Sequence, residues 1–278
     1  MPHLTTDDGV KLYYHEVGTG SPVVFVHEFA GDVRSWEPQL RHLGRRYRCI
    51  TYNARGYPPS AVPDEDTAYD WEQQRDDLIG LMDGLGVESA HLVGLSMGAY
   101  TALQAALAHT ARVRSVVFSS GGSGAYRPER ERFLADMAAA AQRMLERGME
   151  VVADGIAKGP TRVQLLDKDP RGWEEFRRYL AEHDARGSAL TMKNFQGKRP
   201  SLYDFEERLK TLETPVLLAV GDEDDPVVEV NIFLKRTLPR AGLWIHPRTG
   251  HGMNLEEPAE YNQRIAEFLA AVERGLWR

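Results

Sequence analysis

Cysteine is nearly absent. One residue, Cys49, in 278 leaves no intramolecular disulfide to staple the fold, which excludes a disulfide-built secreted scaffold. Its setting, "YRCITY", reads as a buried strand, with the thiol a small core hydrophobe. Long hydrophobic runs are missing too: no stretch approaches the length of a membrane span, so no membrane partner is expected. The opening "MPHLTTDDGVKLYYHEVG" shows no basic-then-apolar leader, and a soluble, cytoplasmic protein is the expectation. Nor is there an excess of positive charge. Acids outnumber bases by 41 to 34, for a formal charge of −7, whereas non-specific nucleic-acid affinity comes from clustered Lys and Arg. The short basic pairs Arg45-Arg46, Arg177-Arg178 and Lys198-Arg199 read as solvated faces, and no nucleic acid is expected as a partner. No internal repeat of solenoid length and no low-complexity tract is visible.

What is present suits a core of ordinary size, with 42% hydrophobic and 27% charged residues. The length fits one α/β domain carrying an insertion. "KLYYHEVG" alternates loosely as a first strand should, and Gly18 and Gly20 turn the chain. "PVVFVH", "RCITYN" and "HLVGL" are short continuous apolar runs, the pattern of strands buried on both faces. Between the last two, Leu78, Leu81, Met82 and Leu85 fall at helical spacing. A helix over 98–109 and the strand "RSVVFSS" follow. Strand signals then vanish until "PVLLAVG" and "GLWIH", and "EYNQRIAEFLAAVERGLW" closes the chain as an amphipathic helix. Phe133, Met137, Met144 and Leu145 are expected on one helical stripe in the gap, and Trp173, Phe176 and Leu180 on another. Alternating strands and helices imply a mostly parallel sheet. The gap reads as a helical cap inserted after strand six, giving a core of 1–121 and 212–278 and a cap of 122–211.

The stretch "HLVGLSMGAY" places Ser96 between Gly94 and Gly98 where a strand turns into a helix. Serine is a poor nucleophile unless a base activates it and an acid orients that base. A strained strand-to-helix bend would project its hydroxyl at the carboxyl edge of the sheet, beside a helix N-terminus that supports negative charge. For the base, His251 in "PRTGHGMNLEEP" lies in a glycine-flanked loop after the last strand, at the same edge. His246 lies inside the strand run and His27 ends a strand, so both read as structural. His3, His15, His42, His91, His109 and His183 have no flanking pattern that needs explaining. The acid should follow another strand between serine and histidine, and "VGDEDDPVV" offers Asp222, Glu223, Asp224 and Asp225. Asp224 is favoured, with Asp225 next. Two backbone N–H donors should face a developing oxyanion: that of Met97, directly after the serine, and one in the loop after "VVFVH", at Phe29.

With "VHEFAGDVRSW", "NARGYPPS", "VGLSMGAY", "GDEDDP" and "GHGMNLEEP" in this order, the chain resembles the α/β-hydrolase superfamily over nearly its whole length. The resemblance implies an eight-stranded, mostly parallel sheet flanked by helices, no cofactor and no metal. It also implies a site between sheet and cap, with Ser96 as nucleophile, Asp224 as acid, His251 as base and Phe29 and Met97 as oxyanion donors. There are departures. Glu28 stands where the family commonly has glycine, and it is expected to turn away or pair with a neighbouring base; the other reading brings a carboxylate close to the site. Asn53 and Pro58-Pro59 replace the usual Asp and Gly in a stretch that is mainly structural.

The reaction expected is hydrolysis of a small carboxylic ester or lactone. A carbon–carbon bond hydrolase of ring-cleavage products, a cofactor-free perhydrolase and a non-catalytic receptor are the rivals. Serine at the nucleophile position disfavours the haloalkane dehalogenase and epoxide hydrolase branches, which need a carboxylate there. Phe133, Met137, Met144, Trp173, Phe176, Met192, Phe195 and Tyr203 could line a pocket but at helical spacing fit the cap's own core better. Arg127 and Lys193 could meet a substrate carboxylate, although solvation suits them better. Oligomeric state is left open.

Overall fold

The apolar runs become a twisted central sheet in the computed structural model, which describes residues 2–277. Its strands are β1 (His3–Thr5), β2 (Lys11–Val17), β3 (Pro22–Val26), β4 (Arg48–Tyr52), β5 (Ala90–Leu95), β6 (Val113–Ser119), β7 (Val216–Gly221) and β8 (Ala241–His246). They lie in the order β1-β2-β4-β3-β5-β6-β7-β8. The pairings β1–β2 and β2–β4 are antiparallel, and every pairing from β4 to β8 is parallel. β1, a three-residue edge strand, has no counterpart in the sequence reading, because three residues show no periodicity.

Successive residues of a strand point to opposite faces, so a continuous apolar run supplies two cores at once. Val24, Val26, Leu92, Val116 and Phe118 bury against one set of helices, whereas Val23, Phe25, Cys49, Val93 and Val117 bury against the other. The first face is covered by α2 (Trp71–Gly84) and α3 (Met97–Ala108); the second by α1 (Glu37–Leu43) and the final helix. Cys49 is fully buried on that second face, as its setting implied.

Between β6 and β7 the described chain has helices and no strand: α4 (Arg130–Ala157), α5 (Val163–Lys168), α6 (Pro170–Ala181), α7 (Ala185–Leu190), a π-helical turn over Thr191–Gln196, and α8 (Glu206–Leu209), with short 3-10 turns over Arg127–Glu129 and Leu202–Phe205. Then come α9 (Asp225–Thr237), α10 (Met253–Glu256) and α11 (Pro258–Glu273). Trp173, Phe176 and Leu180 are buried as their spacing implied. The stripe on α4 differs from expectation. Met144 is fully buried but Leu145 is 63% exposed, because neighbours on a helix point about 100° apart and Ala141 holds the buried position one turn before Met144. α4 breaks at Gly148, whose φ of 72° and ψ of 168° lie outside the helical region. No helix among the described residues is long and apolar enough to cross a membrane.

Candidate active site

Ser96 sits at the bend from β5 into α3 with φ 53° and ψ −109°, a backbone conformation that L-residues adopt only under constraint from their surroundings. The constraint is close packing. A Cβ on Gly94 would lie 2.3 Å from the Gly98 carbonyl oxygen, and one on Gly98 would lie 2.0 Å from that of Val26. Glycine at both positions lets the start of α3 press against β3, whose Val26 is paired with Gly94. The Ser96 N–H donates to the Ser119 carbonyl at 2.8 Å, and its carbonyl accepts from the Tyr100 N–H at 3.1 Å. The side chain is half-buried, while Met97 directly after it opens the helix, where first-turn N–H groups have no partner within the helix.

Of the four clustered acids only Asp224 is buried. Its Oδ2 accepts a hydrogen bond from His251 Nδ1 at 2.7 Å, which leaves Nε2 to face the other way. Asp225 opens α9 and is exposed, Glu223 accepts from Gln164 Nε2 at 2.9 Å, and Asp222 lies on the surface. The His251 loop is fastened from three sides. Glu256 on α10 accepts the N–H groups of Gly250 (2.8 Å) and Gly252 (3.1 Å). The His251 N–H donates to the Thr161 carbonyl at 2.8 Å. Lys168 on α5 bonds Thr249 Oγ1 at 3.1 Å and reaches Glu256 and Glu257. His246, by contrast, bonds Thr249 and, on α11, Glu260, a structural role as its place in the strand implied.

The loop after β3 is equally tied down. The Ala54 N–H donates to His27 Nε2 at 3.0 Å, so the ring proton is on Nδ1, which donates to the Glu28 carbonyl at 2.6 Å. Burial pushes the His27 ring down to about 4, keeping it neutral. The Tyr57 hydroxyl donates to the Phe29 carbonyl at 3.1 Å. Asn53 accepts the Val33 N–H at 2.9 Å and donates to the Pro58 carbonyl at 2.8 Å, a structural part that matches the sequence reading.

Glu28 pairs with a base, as expected, but it does not turn away from the site. Its fully buried carboxylate meets the Arg162 guanidinium in a bidentate pair, Nη1 to Oε1 at 2.8 Å and Nη2 to Oε2, while Oε2 lies 3.9 Å from His251 Nε2. Burial alone would raise this carboxyl; the charge and hydrogen bonds of Arg162, with His251 and His27 adding to them, bring it below its ordinary value. Burial likewise works against the Arg162 charge, and Glu28 more than offsets it. The guanidinium also stacks over the Phe176 ring at 5.0 Å. Sequence reasoning missed Arg162, which lies 134 residues from Glu28 in an unremarkable "GPTRV" turn. The one signal was the unexplained acid, which needed a base from somewhere.

Arg127 pairs with Asp204, and Lys193 with Asp66, both on the surface. Most apolar candidates pack within the helical segment or onto its neighbours: Tyr203 stacks on Phe233 at 4.1 Å, Phe195 meets Tyr100 at 5.8 Å, and Trp173 Nε1 donates to the Ala157 carbonyl. Phe176 lies under the Arg162 guanidinium and also lines a groove of about 650 Å³ with Ala30, Leu165 and Leu255, while Met137, Met144 and Met192 line another of about 460 Å³. Among the described residues no group of three or more His, Cys, Asp or Glu is placed to hold a metal ion.

Comparisons with known proteins converge on one family. A model of the alpha/beta hydrolase family matches residues 23–264. The non-heme chloroperoxidase CPO-A1 of Kitasatospora aureofaciens is 26% identical over 97% of this chain and 99% of its own. A 3-oxoadipate enol-lactonase of Acinetobacter baylyi is 24% identical over 90% of this chain and 89% of its own. A thermophilic esterase from Thermogutta terrifontis superimposes with a TM-score of 0.87 at 27% identity, covering 98% of each chain. Together with the eight-stranded sheet and the bend at Ser96, these matches show that the chain belongs to the alpha/beta hydrolase family.

Proposed function

We propose that the protein is a serine hydrolase of small carboxylic esters or lactones, acting through Ser96, His251 and Asp224. The observation that carries this reading is the buried 2.7 Å bond from His251 Nδ1 to Asp224, which orients the imidazole and leaves Nε2 to serve as a base. Ser96 Oγ attacks the substrate carbonyl carbon while Nε2 takes its proton, and Asp224 stabilises the resulting imidazolium. The N–H groups of Met97 and Phe29 hold the oxyanion, each worth roughly 3–4 kcal/mol of barrier. Collapse of the tetrahedral intermediate breaks the acyl C–O bond, and the leaving alkoxide receives the proton from Nε2. Water, deprotonated in turn by Nε2, attacks the acyl-enzyme; the acyl–Oγ bond breaks, Nε2 returns the proton to Ser96 Oγ, and the acid is released.

We read residues 122–211 as a cap over this site and 1–121 with 212–278 as the catalytic core. The contacts of Thr161, Arg162, Gln164 and Lys168 with the acid and base loops support that division. The likeness to a thermophilic esterase and an enol-lactonase supports ester and lactone substrates. Similarity to a non-heme chloroperoxidase favours one further activity of the same acyl-enzyme, perhydrolysis, in which hydrogen peroxide replaces water. The test is reaction with a fluorophosphonate and mapping of the adduct, followed by an ester and lactone panel. One stoichiometric adduct on Ser96, absent from Ser96→Ala, is expected. A Ser96→Ala protein with undiminished esterase turnover would refute the reading.

A further inference from the structure

Glu28 and Arg162 have no role in the steps above, yet they sit against the base. If His251 is the base, its Nε2 must be unprotonated when substrate arrives. Two carboxylates work against that condition. Asp224 Oδ2 is bonded to Nδ1 at 2.7 Å, and Glu28 Oε2 stands 3.9 Å from Nε2. An unpaired carboxylate facing the free nitrogen favours the imidazolium over the neutral ring, and an imidazolium cannot accept the serine proton.

The other charged groups around the ring leave this problem standing. From α10, Glu256 faces the His251 loop but is occupied by two backbone N–H groups and by Lys168 of α5. Glu223 is bonded to Gln164, and Asp222 faces the Thr249 N–H from the loop after β7. His27, behind the Glu28 carbonyl, is neutral. Among the described residues, the one Arg or Lys paired with Glu28 is Arg162, from the turn before α5. Its bidentate fork takes both carboxylate oxygens, and a planar guanidinium suits that geometry where an ammonium would not. The same turn anchors the base directly, since Thr161 accepts the His251 N–H.

We propose that Arg162 is a positioning residue for the base: it cancels the Glu28 charge facing His251 Nε2 and so keeps that nitrogen free to accept the Ser96 proton. The inference rests on the serine-hydrolase reading and extends it to a residue outside the triad. It makes the neutrality of the base depend on how the helical segment is seated.

The experiment is the rate of Ser96 phosphonylation by a fluorophosphonate as a function of pH, whose acid limb reports protonation of His251 in the free enzyme. Arg162→Met is expected to move that limb up by about one pH unit or more. Glu28→Gln, which turns an unpaired guanidinium toward the ring, is expected to move it down. The double variant should return close to wild type, and Arg162→Lys, which keeps the charge but not the fork, should restore only part of the Arg162→Met shift. Limbs that coincide in all variants, with only a uniform loss of rate, would overturn the proposal and leave the pair a structural one. Should Arg162→Met fail to fold by circular dichroism, the Glu28→Gln limb decides: a downward move supports the proposal and an unmoved limb overturns it. Wild-type protein that takes no label at any pH would instead refute the serine-hydrolase reading, so the two failures are distinguishable.

Discussion

Adding one methyl group at Gly98 tests whether the Ser96 bend is held by backbone packing. The added Cβ would lie 2.0 Å from the Val26 carbonyl oxygen, 2.5 Å from its carbon and 2.7 Å from the His27 oxygen. Cβ atoms essentially never approach a heavy atom closer than 3.0 Å, so the start of α3 and β3 must separate by about 1 Å. The obstacle is the backbone of a central strand, which cannot swing aside as a side chain can. Overpacking of this kind costs about 1–3 kcal/mol. The catalytic consequence should be larger in proportion, because a 1 Å misplacement of reacting groups can cost about 100-fold in rate, and the displaced turn carries both Ser96 and the Met97 N–H. Gly98→Ala is therefore expected to lower the urea midpoint and cut kcat/KM on a p-nitrophenyl ester by about two orders of magnitude. Gly80→Ala is the matched control. It lies within α2 with nothing near its added Cβ, and should stabilise the protein by about 0.5–1 kcal/mol through helix propensity. A Gly98→Ala enzyme within threefold of wild-type rate, at unchanged stability, would refute the packing argument.

Three further outcomes follow from buried charge and burial itself. Arg55 is fully buried, paired with Asp77 at 2.6 Å and Asp8 at 2.9 Å; Asp77→Ala leaves that cation without its buried partner and should cost about 3–5 kcal/mol in urea unfolding, so a loss below 1 kcal/mol would contradict it. His27 is held neutral down to about 4 against an ordinary value of 6.5, so the unfolded chain takes up a proton first as pH falls. Its contribution, on the order of 3 kcal/mol, is present above pH 6.5 and lost progressively towards pH 4; an unfolding free energy that stays flat across that window would show that the ring is protonated in the fold. Burial pushes the Cys49 thiol up to about 12, so Ellman's reagent at pH 8 should label it only after unfolding in urea, and rapid labelling of native protein would place it at the surface.

The parts of this molecule that were legible in the sequence are those with short-range signatures. Strand runs, the glycine bracket around Ser96 and the glycine-flanked His251 all depend on neighbours within a few positions. The candidate acid was legible only as a cluster, of which Asp224 alone is buried, bonded to His251, while Asp222, Glu223 and Asp225 are exposed. Contacts between distant segments were not legible. Glu28 was visibly out of place, yet nothing in "GPTRV" marks Arg162 as its partner, because that pairing depends on how α4 to α6 settle on the sheet. The same holds for α4, where Met144 and Leu145 look alike in sequence and only the docking of the helix decides which is covered.

The excursion from β6 to β7 has a consequence for how this fold can vary. β6 pairs with β7 although residues 120–215 intervene, so those two strands meet across a long closed loop. Closure entropy grows only logarithmically with loop length, about 0.6 kcal/mol for each doubling. The helical segment could therefore shrink or expand considerably at little thermodynamic cost to the sheet that carries Ser96, Asp224 and His251. Selection can rework the helical segment while those three side chains stay where the strands put them. The limit on that freedom is Arg162: a replacement segment that fails to deliver a cation to Glu28 inherits the carboxylate without its counter-charge.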